Sequence, residues 1–208
     1  TLGGEVRQQY ERFQNEAWGS EPEDKNGYSL QRYMFHADLH VRRFRAFVQL
    51  KSGIEAGRVG GPRPPDEDQL DLHQAFADIG VVGRELGGPG LTLRVGRQEL
   101  SFGSQRLVAV RESPNVRQSF DAIRAIAHVA DWRVDVFASR PVTTATGVFD
   151  DRPDNTRAFW GVYTVRALDA ARRQILLHRL GALGAERDVV FARAALVGMA
   201  LDRERVAI

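Results

Sequence analysis

The chain has 208 residues, of which 43% are apolar and 27% charged, with 29 Lys plus Arg against 27 Asp plus Glu and no cysteine. No window approaches the ~20 apolar residues of a membrane-spanning helix, and without cysteine there are no disulfide scaffolds, cysteine-based zinc sites or thiol chemistry. Eleven Phe, three Trp and four Tyr argue against disorder, while a transmembrane β-barrel stays open because its alternating faces average to a hydropathy typical of soluble proteins.

The pattern through Leu168 has period two. From Leu2 to Phe13, Glu5, Arg7, Gln9 and Glu11 share one face, and Gly4, Val6 and Tyr10 the other, with Gln8 as the exception. From Leu30 to Val41, Tyr33, Phe35, Ala37, Leu39 and Val41 alternate with Arg32, His36, Asp38 and His40. From Phe44 to Lys51, Phe44, Ala46, Val48 and Leu50 alternate with Arg45, Gln49 and Lys51. Leu91, Leu93 and Val95 alternate with Thr92, Arg94 and Gln98, and Trp132, Val134, Val136 and Ala138 with Arg133, Asp135 and Ser139. Weaker strands run over 71–78, 120–129 and 156–166. The sum is about eight amphipathic strands.

The connections alternate in length. Long polar or Gly/Pro-rich stretches (18–28, 53–69, 100–118, 141–155) alternate with tight turns at Arg42-Arg43 and Ala130-Asp131 and a medium, Gly-rich one at 80–90. Nothing in a two-layer sandwich requires that rhythm, whereas outer-membrane barrels have short periplasmic turns and long outer loops. The fold class expected is all-β: an antiparallel up-and-down transmembrane β-barrel, partial at about eight strands.

The last 40 residues break the pattern. Residues 1–168 are expected to form the partial barrel, and 169–208 an Ala- and Arg-rich tail, irregular or helical at Leu176, Leu177, Leu180 and Leu183. Through Leu168 there are 22 basic and 22 acidic residues, and from Asp169 on seven Arg against five acids, so the net charge of +2 resides in the tail. A nucleic-acid binder would show a concentrated basic patch, and the neutral body shows none. Residues 1–5 lack the basic start and apolar stretch of a signal peptide, so a signal is expected to have been removed or to lie upstream.

Four segments carry a family resemblance: residues 93–108 (LRVGRQELSFGSQRLV), residues 3–7 (GGEVR) with Tyr10-Glu11-Arg12, residues 72–76 (LHQAF) and residues 114–121 (PNVRQSFD). Together they resemble the alginate export family of outer-membrane porins. The resemblance implies a bacterial outer-membrane protein embedded in lipid. It implies passive diffusion of an acidic polysaccharide, or another polar solute, through an arginine-lined pore. Periplasmic export partners are implied as well. Family members are about twice this length, with more strands, and usually end on a strand with a terminal aromatic, whereas this chain ends Glu204-Arg205-Val206-Ala207-Ile208. A truncated or frame-shifted product is therefore expected. A one-base shift can turn codons for Leu176-Leu177-His178-Arg179 into codons for Tyr-Tyr-Ile-Gly, which would restore a strand-like pattern.

Arginine suits a pore for anions because its guanidinium stays charged and grips carboxylates with a planar fork, and rings of such side chains make pores anion-selective. The expected pore-lining residues are Arg7, Arg32, Arg45, Arg94, Arg97, Gln98, Arg106, Arg111, Arg124 and Arg133, with Asp38, Asp121 and Asp135. Arg97 shares the parity of Val95, so a lumen position for it requires a bulge or a strand end. Arg117, with Arg97, Arg106 and Arg111, lies in or beside the loop after the fifth strand, which could fold into the pore. The competing reading is a soluble antiparallel β protein that binds a carbohydrate or a protein partner, with these charges on its solvated face. No metal or other cofactor is expected, since His36 and His40 lie ~13 Å apart along a strand. No enzymatic activity is expected either, since the metalloprotease, P-loop and serine-hydrolase motifs are all missing.

Overall fold

The computed structural model describes residues 1–20, 26–83, 86 and 89–167. The tail expected over 169–208 lies outside the described residues. Nine strands form one antiparallel sheet: β1 (Leu2–Glu11), β2 (Tyr28–Val41), β3 (Phe44–Ala56), β4 (Asp68–Val82), β5 (Gly90–Gln98), β6 (Phe120–Val129), β7 (Trp132–Thr143), the two-residue β8 (Arg152–Pro153) and β9 (Phe159–Arg166). Each strand from β1 to β7 pairs with the next, and β7 also pairs with β8 and β9. One short helical turn, α1 (Glu16–Gly19), interrupts the first long connection. The eight long strands are those the alternation predicts. Several run further than expected, notably β4, because bulges hide their ends from a strict period of two.

The register shows why the alternation is there. Leu39, Ala46, Ala77, Val95, Ile123, Ala138 and Trp160 are successive cross-strand partners from β2 to β9, and every one is apolar. So are Val41, Phe44, Ile79, Leu93, Ala125, Val136 and Val162. Between these two rows runs one of opposite parity: His40, Arg45, Asp78, Arg94, Arg124, Phe137 and Gly161. The polar row turns inward, and the apolar rows face outward.

Burial follows the same division and inverts that of a water-soluble protein. Val6, Leu39, Ile79, Ile123 and Val136 are exposed, while Arg32, Lys51, Asp68, His73, Asp78, Arg124 and Asp135 are buried. Phe44 and Trp132 sit on the outer face at the short-turn end, and Tyr33 and Trp160 further toward the long loops. From Phe44 to the partner level of Tyr33 is about 27 Å along a strand at the standard rise, and tilt shortens this toward the ~25 Å apolar band of outer-membrane barrels.

The long connection 99–119 crosses the inner face. At one end Gly103 N donates to the Tyr163 hydroxyl of β9 (3.1 Å), and Phe102 stacks on Phe137 with centroids 4.9 Å apart. At the other end Arg7 of β1 donates to the carbonyls of Glu112 (2.8 Å) and Pro114 (3.1 Å). The loop thus joins both edges of the sheet across its concave side. The apolar core is small and forms between this loop and the sheet: Leu100, Val108 and Phe102 of the loop pack with Phe137, Phe120 and Phe159. Asn115 anchors the loop. Fully buried, it donates from Nδ2 to the carbonyls of Gln31 (2.9 Å), Ile54 (3.3 Å) and Asp66 (3.0 Å), and from its backbone N–H to Asp66 Oδ1 (2.8 Å).

Gly96 is required where it stands. Its φ is +126°, and a Cβ there would lie 2.2 Å from the Ala75 carbonyl oxygen. Between Gln49 and Leu50 the β3–β4 register slips past His73, so that His73 and Gln74 both bond to polar-face groups. A bulge re-aims side chains in this way. Among the described residues β1 and β9 each keep one edge without a strand partner.

Candidate pore-lining site

The inner face carries two charged clusters at different levels. Nearer the short turns, a belt spans six adjacent strands. Arg45 grips Asp38 with two bonds (Nε to Oδ1 2.9 Å, Nη2 to Oδ2 2.8 Å) and approaches Asp78 at 3.7 Å. Arg94 grips Asp78 the same way (2.6 and 2.8 Å). Arg124 and Arg133 share Asp135, each donating from Nε at 2.9 Å to a different carboxylate oxygen. His40 Nε2 lies 2.9 Å from Asp38 Oδ1. Four guanidiniums face three carboxylates, which leaves one positive charge in excess. Bidentate forks fix the planes of these groups.

Aromatic rings stiffen the belt further. The Arg94 guanidinium lies 3.9 Å from the Phe76 ring centroid and that of Arg45 about equally far from Phe47 (5.2 Å) and Phe76 (5.3 Å). Phe47 and Phe76 themselves stack at 5.1 Å. Cation–π contact holds an arginine in place without neutralising its charge.

The second cluster lies nearer the long loops, where loop 99–119 meets β1, β2 and β4. Arg32, almost fully buried, donates to Glu5 Oε1 from Nε (3.0 Å) and Nη2 (2.5 Å), and also to Glu112 Oε1. Arg117 Nε lies 3.0 Å from Glu112 Oε2 and 3.3 Å from Glu99 Oε1. Glu99 in turn bonds the fully buried His73 at Nε2 (2.8 Å). Arg7 adds its fork from β1, bonding Asn115 Oδ1 at 3.3 Å. Three arginines thus meet three glutamates. Burial disfavours the Glu112 charge, but the Arg32 hydrogen bond and the neighbouring Arg117, Arg32 and Arg7 charges outweigh it and hold its carboxyl below the usual range.

The remaining candidates are scattered. Register puts Arg97 and Asp121 on the face of Val95 and Ile123, at the loop end, where they pair with each other (2.9 and 3.2 Å). Arg97 also reaches the Leu72 carbonyl at 3.2 Å. Gln98 is fully buried and donates to the carbonyls of Gly96 and Ala122 (3.2 Å each), so its amide links backbone to backbone. Arg106 and Arg111 are exposed on the loop and make no ion pair among the described residues. They line a cavity of about 540 Å³ with Gln118, Phe120, Arg157 and Phe159.

Several members of these clusters are not among the sequence candidates. Asp78 had the parity to reveal it, being opposite in face to Ala77 and Ile79. Glu99 and Glu112 had no such signal, because a loop has no period. Asp71, Asp150 and Asp151 bring ligand atoms within 4.8 Å of one another. Their oxygens accept backbone N–H groups of residues 72, 145, 147, 150 and 151, and the Lys51 ammonium sits 2.8 Å from Asp151 and Asp68. With a cation already bound there, this group reads as a clasp between β3, β4 and the loop after β7 rather than a metal centre.

A family model described as alginate export matches residues 1–181. No curated protein and no solved structure matches the chain.

Proposed function

We infer the function from one premise: the chain belongs to the alginate export family, a family of outer-membrane transporters rather than enzymes. We propose that its strands form part of an outer-membrane channel. An acidic polysaccharide of alginate type, or another polar solute, would pass by passive diffusion along the arginine-bearing inner face. The observation that carries this reading is the register itself, with a row that is polar or charged from His40 to Arg124 before it reaches Phe137 and Gly161, flanked by two unbroken apolar rows of opposite parity. Water on the inside and hydrocarbon on the outside is the environment that satisfies both.

The chemistry of transit follows from the pairing. Each guanidinium of the belt is already held by a carboxylate, so a passing uronate meets oriented donors but must compete for them. That keeps binding loose, as conduction requires. The belt has one more guanidinium than carboxylates, which favours anions over cations.

Passage of a polymer needs more strands than those described. An eight-stranded barrel has an interior just wide enough to be filled by side chains, and here the inner face also carries loop 99–119. Unpaired backbone groups in hydrocarbon cost several kcal/mol each, so the open edges of β1 and β9 call for further strands from outside the described residues. We therefore place this sheet in a larger barrel and expect no polymer export from the described strands alone.

Two measurements test the reading. The full-length gene product is expected to fractionate with outer membranes and to show heat-modifiable gel mobility; a soluble, detergent-independent monomer would refute it. Planar-bilayer recordings are expected to give no stable anion-selective conductance for the 208-residue product; such conductance would refute the incomplete-barrel part.

A further inference from the structure

Glu112 occupies an unusual place. It is the one acidic side chain in the stretch 100–119, and this carboxylate is carried onto three arginines of the inner face. Its side chain is 53% exposed, whereas that of Arg32 beneath it is 3% exposed. The buried partner is fixed while the half-exposed one can leave. Arg32 Nη1 and Arg7 Nε are buried without an acceptor, so the arginines offer more N–H donors than the glutamates fill. A carboxylate with adjacent hydroxyls could use both the position Glu112 holds and these idle donors.

We propose that Arg7, Arg32 and Arg117 form a carboxylate-binding site for the acidic sugar, and that Glu112 fills it in the resting protein as a built-in stand-in for the sugar's carboxylate. This deepens the channel reading above and rests on it. When a uronate takes the site, the loop loses the Glu112 tether while Asn115 keeps its far end anchored. The inner face then opens only where the polymer is present. No covalent step is involved; one carboxylate replaces another on the same guanidinium forks. Exchange is within reach because a partly exposed ion pair contributes little net free energy, and a polyuronate presents its next carboxylate at high effective concentration once the first has bound.

The test uses the full chain in outer-membrane vesicles, with a polyuronate oligosaccharide and a neutral glucan oligosaccharide of equal length. Binding is measured by calorimetry, and loop mobility by a nitroxide on Ser113→Cys, an exposed position next to Glu112 in a chain without other cysteines. β-Sheet circular dichroism confirms that each variant is folded. The expected result is that polyuronate, and not the neutral glucan, binds and mobilises the label. Glu112→Gln should bind polyuronate about fivefold tighter, because a competitor has been removed. Arg117→Gln should bind at least about tenfold weaker, having lost a charged hydrogen-bond donor. A glutamate that merely braces the loop would give unchanged or weaker binding when removed. Equal or weaker binding by Glu112→Gln, or a label that stays immobile at saturating polyuronate, overturns the stand-in role and leaves the channel reading intact. Failure of polyuronate to bind any variant overturns both.

Discussion

Asp135→Ala should be among the most damaging single changes in the sheet. Asp135 is fully buried and is the acceptor for Arg124, which donates from Nε at 2.9 Å and lies 2.8 Å away at Nη2. Arg124 is only 7% exposed and stands next to Arg94 in the register. Removing the carboxylate leaves a buried cation beside a like charge, and breaking a buried pair from one side costs about 3–5 kcal/mol. Arg133, the second donor, has a side chain 44% exposed, so it can turn to water and adds less than about 1 kcal/mol. Urea unfolding in lipid vesicles, followed by Trp emission, gives the difference, and Trp132 on the same strand is well placed to report it. Replacing both partners, Arg124→Met with Asp135→Leu, should recover all but about 1 kcal/mol, since apolar side chains of similar volume carry no charge to strand. If Asp135→Ala costs less than about 1 kcal/mol, or the double variant is as damaged as the single, the inner face is wetter and less coupled than its geometry indicates.

Other outcomes follow from the same structure. Ile123→Arg places a charge on the outer face and should cost about 2–4 kcal/mol if the site lies near the bilayer midplane, whereas His40→Arg, beside Asp38 on the inner face, should be nearly neutral in the same unfolding assay. Asn115→Ala leaves three carbonyls without their donor and should cost about 1–3 kcal/mol, read as faster tryptic cleavage at Arg106 and Arg111 with β-sheet circular dichroism unchanged. The Glu112 carboxyl is held below its ordinary 4.5, so its tether is complete above about that pH and is lost as pH falls through the lower folded-state value. A nitroxide at Ser113→Cys, beside Glu112, should therefore stay immobile from pH 7 down to about 4.5 and become mobile only on further acidification, and a label already mobile between about pH 5 and pH 7 would contradict the tether.

The eight long strands and the division of their faces were legible in the sequence because β-structure with one face in lipid and one in water must alternate at every step. Arg7, Arg32, Arg45, Arg94, Arg124 and Arg133 stand out by parity alone. What parity could not show is where the strict period fails. The bulge at His73 turns two successive side chains toward polar groups, and Arg97 keeps the parity of Val95 yet finds Asp121 and the Leu72 carbonyl at the strand end. The path of loop 99–119 was also hidden, because it depends on contacts more than 80 residues apart, such as Arg7 with Glu112 and Asn115 with Gln31. Such contacts are set by how the sheet curls, and no local pattern encodes them. Gln98 illustrates the limit: its parity is polar, but its amide is consumed by two backbone carbonyls.

The central claim is that the apolar rows meet lipid and the charged row meets water. Because the chain has no cysteine, single cysteines at Val48 and Val136 on the outer face, and at Gln49 and Phe137 on the inner one, can each carry a nitroxide in reconstituted vesicles. The account predicts that lipid-soluble oxygen relaxes the outer labels, that a water-soluble nickel chelate relaxes the inner label at Gln49, and that the label at Phe137 under the loop is shielded from both. Outer labels as accessible to the nickel chelate as to oxygen, or inner labels relaxed chiefly by oxygen, would contradict it.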